Sequence, residues 1–210
     1  MCQPYSRYRS YEPDEAEPGS DGRVLRNKLR VTDPEMMQAI EENALEKAYI
    51  QRSGDMEPEA SVTCDVIKEW HCLIFGEIYE WAGEYRTAEL ILPQAELQFC
   101  RSKHIAAAMA DYEREYLSKF TPLPKNKLDC CSEVLAKLHA EFIIIHPFRD
   151  GNGRTGRYMI DSLLVQVGLS SIDWNTVFHK GMADYHKGIQ QSVSRDYSLL
   201  ASLFREFMNS

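Results

Sequence analysis

Twelve residues, 146–157, combine the side chain types that handle a nucleoside triphosphate. Their sequence, HPFRDGNGRTGR, holds a histidine, an acid, two glycines that flank an asparagine, and two arginines at its end. Glycines let backbone N–H groups approach phosphate closely, and arginines are permanent cations for phosphate oxygens. An aspartate can hold magnesium, and a histidine can take a proton near neutral pH. The segment therefore predicts a site for a triphosphate and a divalent cation.

The twelve residues resemble the signature of the Fic family of AMP-transferring enzymes, His-x-Phe-x-Asp/Glu-Gly-Asn-Gly-Arg-x-x-Arg, and every fixed position is met. The resemblance extends along nearly the whole chain. Residues 18–29 look like the opening stretch of compact Fic toxins, and residues 67–86 look like the helix before the family's flap, a hairpin that lies over the active site. The resemblance implies a nucleotidyltransferase, a protein adenylyltransferase (AMPylase), with ATP as its substrate and Mg²⁺ (magnesium) as its metal ion.

The resemblance also implies a role for each residue of this motif loop. His146 would be the general base that takes a proton from a hydroxyl of the target protein, which then attacks the α-phosphorus of ATP. Asp150 matches the position that holds magnesium. Related protein kinases carry lysine in place of Gly153 and lack the arginine at Arg157, so this chain should bind ATP in the AMP-donating orientation. The implied ATP-binding residues are Gly151, Asn152 (α-phosphate), Gly153, Arg154 (β-phosphate) and Arg157 (γ-phosphate), with both arginines on one side of a helix.

Residues 85–100 (YRTAELILPQAELQFC) alternate loosely and lack a stripe of period 3.6, which predicts a short hairpin or an extended loop. By resemblance this is the flap. Its edge could pair with an extended segment of the target and hold the target hydroxyl over His146. The alternative is a surface hairpin that binds no ligand. The predicted target-docking residues are Leu90, Ile91, Leu92 and Leu97.

Helical spacing of apolar residues predicts an all-α single domain with one small β-hairpin. Helices are expected at 34–51 with Asp33 as N-cap, from about 62 to near Trp81, at 103–120, over the clear stripe 128–145 that ends at His146, around 160–167, from an N-cap at Asp173, and at 199–207. Residues 1–22 are predicted to be a flexible tail that orders only if it docks, and residues 23–210 to be the Fic domain.

Composition narrows the partners. A net charge of −8 argues against a large basic surface for nucleic acid. No stretch approaches the ~20 apolar residues that span a membrane. The first residues lack the apolar core of a secretory signal, so a cytoplasmic protein is expected, with export as an effector left open. Six cysteines without CxxC spacing are expected to be reduced.

Many Fic enzymes are inhibited by a helix with the pattern Ser/Thr-x-x-x-Glu-Gly/Asn, whose glutamate pairs with the second motif arginine. Two incomplete copies occur, from Gln38 to Glu42 and Asn43, and from Ser202 to Glu206. The preferred hypothesis is a toxin whose separate small antitoxin supplies this helix. The alternatives are a secreted effector that modifies host proteins and a non-catalytic module that senses nucleotide. Self-modification is a further partner hypothesis.

Overall fold

The computed structural model describes residues 9–10, 15–51, 59–91, 98–124 and 128–208, and this part of the chain is mainly helical, which confirms the predicted fold class. In chain order the elements are β1 (Arg9–Ser10), α1 (Pro34–Gln51), α2 (Cys64–Phe75), β2 (Leu90–Ile91), a 3₁₀ turn (Ser102–His104), α3 (Ile105–Tyr112), a π-helical turn (Glu113–Leu117), α4 (Ser118–Phe120), α5 (Leu128–Ile145), α6 (Asn152–Gln166), α7 (Trp174–Ser192) and α8 (Ser198–Met208).

Helix α5 is the centre of the core. It packs against α3, α6, α7 and α8. Burial removes its apolar stripe from water, which stabilises the fold by about 1.5–3 kcal/mol for each large aliphatic or aromatic side chain. The helix therefore presents a rigid end to the motif loop. The buried members of the predicted stripe are Cys131, Leu135, Leu138, Phe142 and Ile145.

Helix α2 packs against both α1 and α6, and α1 bonds to α6 through Glu41 and Arg154. Helix α1 begins where the sequence predicts, because the Asp33 carboxylate accepts the Met36 amide at 2.8 Å. Helix α2 ends at Phe75, earlier than the predicted Trp81. Tight turns replace its last predicted turns, since the Ile78 and Tyr79 amides both bond to the Phe75 carbonyl at 2.9 Å. These turns bury Tyr79 against α1.

The flap strand pairs with the N-terminal segment. Strand β2 is antiparallel to β1, with Arg9 opposite Ile91 and Ser10 opposite Leu90. The sequence did not predict this pairing, and the predicted hairpin or extended loop over 85–100 is described only in part, because residues 92–97, with Leu92 and Leu97, lie outside the described residues. The exposed N–H and C=O groups along a strand edge can pair with any extended segment. Here the pairing segment is β1 of the same chain.

Residues 15–22, predicted to belong to a flexible tail, are docked on the domain. Glu15 pairs with Arg149 of the motif loop, and its carbonyl accepts the Arg26 amide at 2.7 Å. The Glu17 carboxylate is buried and accepts the Asn27 amide at 3.0 Å. These polar contacts with the body of the domain fix the segment. None of the helices in the described ranges has the length and apolar character needed to span a bilayer.

Candidate active site

The motif loop reverses the chain between α5 and α6. His146 closes α5, since its amide bonds to the Phe142 carbonyl at 2.9 Å, and its φ of +54° is left-handed. A non-glycine residue pays about 1–2 kcal/mol for that conformation, so surrounding contacts must hold it. Asn152 closes the loop from the other end. Its side chain accepts the Phe148 amide and donates to the Phe148 carbonyl, both at 2.8 Å.

The His146 imidazole is buried as a neutral ring. Its Nδ1 lies 3.1 Å from the Ile143 carbonyl, which can only accept, so Nδ1 carries the proton and Nε2 has the basic lone pair. The Phe99 ring stacks on it with centroids 3.8 Å apart. Burial is the main cause that lowers the pKa of His146, to about 3, and the positive charge of Arg86 lowers it further. The tautomer is the one that general-base chemistry at Nε2 requires.

A second histidine, His71 of α2, contacts the motif loop. Its Nδ1 accepts the Gly83 amide at 2.9 Å, so its Nε2 donates to the Asp150 carbonyl at 3.0 Å. The ring stacks on Phe148 at 3.9 Å, and burial lowers its pKa to about 4. Sequence reasoning missed this residue. The available signal was its place four residues before Phe75 on the apolar face of α2.

Asp150 and Gly151 form the turn into α6. Gly151 has a φ of +77°, and a Cβ there would lie 2.3 Å from Cε2 of Phe75, so the position requires glycine. The Asp150 carboxylate accepts the Gly151 amide at 2.5 Å and lies 3.5 Å from Nη2 of Arg154. The described residues contain no group of three His, Cys, Asp or Glu that could hold a metal. Magnesium binding by Asp150 therefore stays a prediction, in which phosphates and water would supply the other ligands.

The two motif arginines face different neighbours, which corrects the prediction that they project to one side. Arg154 donates to the buried Glu41 of α1 at 2.7 Å and stacks over Phe75 at 4.6 Å. Arg157 lies over Phe178 of α7 at 4.8 Å, and a Cβ at Gly153 would lie 3.3 Å from its Nη1. Side chains three apart on a helix point about 60° apart, so their ends can reach separate neighbouring helices. Arg154 also lies 3.5 Å from the Asp150 carboxylate, so both arginines reach back toward the N-terminus of α6.

Two of the predicted ATP-binding side chains have hydrogen-bond partners within the protein. Asn152 has its side chain bonded to Phe148, so its observed part is to close the loop, and its contact with the α-phosphate stays a prediction. Arg154 is held by Glu41, whose other oxygen accepts the Tyr79 hydroxyl at 2.6 Å. Of the predicted docking residues, Leu90 is buried in β2, and only the backbone pairing of Ile91 is described.

Comparisons with known proteins identify the family of the chain. The profile of the Fic/DOC family matches residues 61–164, which include α2, the flap and most of α6. The chain belongs to the Fic/DOC family. It is 27% identical to protein adenylyltransferase VbhT of Bartonella schoenbuchensis over 87% of this chain and 36% of that protein. It is 26% identical to the probable protein adenylyltransferase Fic of Escherichia coli over 91% of this chain and 90% of that protein.

The Fic/DOC fold is shared with solved structures. One is the BepC protein of Bartonella tribocorum with bound AMPPNP, at a TM-score of 0.75 and 20% identity, covering 93% of this chain and 96% of that one. The chain spans less than two fifths of the length of the Bartonella schoenbuchensis relative and of the Nematostella vectensis protein adenylyltransferase Fic, which is 25% identical over 82% of this chain.

The two incomplete inhibitory patterns lie on the surface of this Fic/DOC domain. Glu42 is exposed and its carboxylate accepts the Gln38 amide at 2.8 Å, and Glu206 is exposed on α8. The glutamate of α1 that reaches a motif arginine is the adjacent Glu41, and the arginine it reaches is Arg154. Neighbouring positions on a helix point about 100° apart, which explains why one is buried and the other is not.

Replacing Glu41 by alanine should destabilise the domain by about 2–3 kcal/mol, because Arg154 and the Tyr79 hydroxyl would lose a buried acceptor. Urea denaturation measures the change in the free energy of unfolding. The matched control is Glu42→Ala on the exposed face, expected within about 0.5 kcal/mol of the unmodified protein. Equal losses in the two variants would show that the Glu41–Arg154 pair does not stabilise the fold.

Acid should weaken the fold through its buried histidines. Burial lowers the pKa of His146 and of His139 to about 3, and that of His71 to about 4, from 6.5 in the unfolded chain. The unfolded chain therefore binds more protons below pH 6.5, and stability falls as the pH drops from about 6.5 to about 4, by about 1.4 kcal/mol per unit for each histidine.

Urea denaturation at a series of pH values checks this linkage. His139→Gln should reduce the number of protons taken up on unfolding between pH 6 and pH 4 by about one, because its ring is buried against Tyr185, with Nε2 2.6 Å from the hydroxyl. The exposed His104 provides the control variant, His104→Gln. The explanation is wrong if both variants keep the slope of the unmodified protein.

Proposed function

We propose that the chain is a protein adenylyltransferase, which transfers AMP from ATP to a hydroxyl side chain of a target protein. The observation that carries the proposal is the pairing of a base with an anion site. The basic Nε2 of His146 stands at one end of a fixed loop, and the N-terminus of α6, with Gly153 beneath Arg157, stands at the other. Helix N-termini with close glycines favour phosphate.

In the proposed reaction, Nε2 of His146 accepts the proton of the target hydroxyl while the hydroxyl oxygen attacks the α-phosphorus. The new bond is oxygen to α-phosphorus, the bond that breaks joins the α-phosphorus to its bridging oxygen, and pyrophosphate leaves with that oxygen. Arg157 would stabilise the charge on the distal phosphates. Asp150 would hold magnesium, which supplies positive charge against the departing pyrophosphate. The negative charge of bound triphosphate favours a protonated imidazole, so nucleotide would strengthen the base.

The names of relatives support this proposal. The Bartonella schoenbuchensis and Nematostella vectensis proteins are named protein adenylyltransferases, and the Escherichia coli protein a probable one. The BepC structure of the same fold holds AMPPNP, a triphosphate analogue. The competing proposal is a nucleotide-sensing module that keeps the site without using it as an enzyme.

His146→Ala should abolish AMP transfer and leave ATP binding intact. Removing a general base costs roughly 10²- to 10⁴-fold in rate, while the proposed phosphate contacts are made by other residues. The assay incubates the protein with ATP labelled at the α-phosphate, magnesium and a bacterial lysate, and measures labelled protein bands and nucleotide affinity. The control is the exposed His104→Ala. Equal labelling by His146→Ala would contradict the proposed base, and binding without any transfer by the unmodified protein would favour the sensor.

The same assay addresses the control of the enzyme. We propose a toxin whose separate antitoxin chain brings a glutamate to Arg157, because Glu42 and Glu206, the two candidates within the chain, lie exposed. Weak labelling by the isolated chain that Glu42→Gly restores would contradict a separate inhibitor. A secreted effector shares the chemistry and differs in its target, so labelled bands in a eukaryotic lysate but not in a bacterial one would favour it.

A chain that begins at residue 15 should label its target several-fold faster than the full chain. Strand β1 takes one edge of β2, and a tethered strand competes with a free segment at an effective concentration of about millimolar. Removing it frees an edge for the target. The measurement is the initial rate of labelling in lysate, with His146→Ala in both lengths as the background. An unchanged or slower rate would show that the target does not compete with β1.

A further inference from the structure

A buried cation lies behind the catalytic candidate. Arg86 stands between α2 and β2, and only 5% of it is exposed. Its guanidinium donates to three backbone carbonyls, from Nε to His146 at 2.8 Å, from Nη1 to Ala88 at 2.8 Å, and from Nη2 to Cys100 at 2.5 Å. Its own amide donates to the Pro147 carbonyl at 2.8 Å. Burying a guanidinium whose hydrogen-bond acceptors are carbonyls costs free energy of desolvation, so the position of Arg86 calls for a reason beyond packing.

We propose that Arg86 is a positioning residue for AMP transfer. It holds His146 in its left-handed conformation and fixes both ends of the flap to His146. The proposal rests on the proposed transferase function of His146. It adds a residue outside the motif loop to the machinery of that site.

The first step of the argument is the backbone of His146. Its φ is +54°, and the following proline restricts it further, so nothing intrinsic favours this conformation. Arg86 bonds the carbonyls of His146 and Pro147, one with its side chain and one with its backbone. Two consecutive peptide groups are thereby fixed to one residue. The direction in which the imidazole leaves the backbone is set by these bonds and by the contact of Nδ1 with Ile143.

The second step is the flap. Ala88 lies two residues before Leu90 of β2, and Cys100 lies where the chain returns from the flap. The Cys100 amide bonds to the Ile144 carbonyl at 3.3 Å, and Phe99 stacks on the His146 ring. The Arg86 guanidinium therefore links the flap that carries β2, which is proposed to dock the target, to His146, which is proposed to deprotonate the target hydroxyl. A shift of about 1 Å between these parts can cost about 100-fold in rate.

The third step is charge. The charged groups that act on the His146 ring are Arg86, which lowers its pKa, and Asp150, which raises it. The groups that act on Arg86 are Glu89, Cys100 and Arg149. Burial stays the main cause of the lowered pKa of His146, but a neutral residue in place of Arg86 removes the smaller lowering by its charge, so this pKa should rise. The acid limb of the rate profile, where His146 gains a proton and loses activity, should then move to higher pH.

The test compares Arg86→Gln and Arg86→Lys with the control Arg101→Gln, which changes an exposed arginine next to Cys100. In the labelling assay with ATP and lysate, Arg86→Gln should lower kcat about 100-fold, with KM for ATP within threefold of the unmodified protein. Arg86→Lys keeps the charge and should retain part of the rate, and Arg101→Gln should retain all of it. A histidine NMR titration should show the His146 midpoint raised in Arg86→Gln and nearly unchanged in Arg86→Lys.

The outcomes separate this proposal from the proposed function. If the unmodified protein labels nothing, the transferase proposal fails, and the NMR midpoint alone still decides whether Arg86 acts on His146. Full kcat in Arg86→Gln, or a loss of kcat with the His146 midpoint unmoved, overturns the positioning role. If Arg86→Gln does not fold, Arg86→Lys decides the proposal, because its single ammonium group cannot make all three hydrogen bonds of the guanidinium. Full kcat in Arg86→Lys overturns the positioning role. A loss of kcat with unchanged KM for ATP supports it.

Discussion

The six residues between α5 and α6 must reverse the chain and leave a base beside a helix N-terminus, and the rest of the site depends on that turn. Two left-handed residues make the reversal possible, His146 with a φ of +54° and Gly151 with a φ of +77°. The glycine adopts this conformation without strain, whereas the histidine does not. The contacts around the turn, from Asn152, His71 and Arg86, are what the histidine needs to stay there.

These supports come from distant parts of the sequence. His71 belongs to α2, Arg86 to the flap base and Glu41 to α1, and all three are buried. Each one bonds a different part of the motif segment: the Asp150 carbonyl, the His146 carbonyl and the Arg154 guanidinium. A buried polar group is costly when it loses its partner, so each pair favours one arrangement of helices over others. The helices and the motif loop thus fix one another.

The sequence predicts those parts of this arrangement that have a recognisable pattern among residues close together in the chain. The stripe of α5 gives a buried helix that ends at His146, Asp33 marks the start of α1, and the twelve-residue motif marks the loop. The supports have no such pattern, because each depends on a contact between residues far apart in the chain. A glutamate at 41 beside one at 42 looks equivalent until α1 is docked on α6. The pairing of β1 with β2 was missed for the same reason, since two residues carry too little periodicity to mark a strand.

Burial gives the catalytic candidate a property that at first argues against its role. An imidazole whose pKa is lowered to about 3 is neutral at cellular pH, yet it is a weaker base than one poised near 7. The low value belongs to the protein without nucleotide, where Arg86 is one of the charges acting on the ring. A triphosphate at the N-terminus of α6 would add negative charge, and every such charge stabilises the protonated ring. On this argument the base gains strength only when ATP is in place, which would couple proton removal from the target to the presence of the AMP donor.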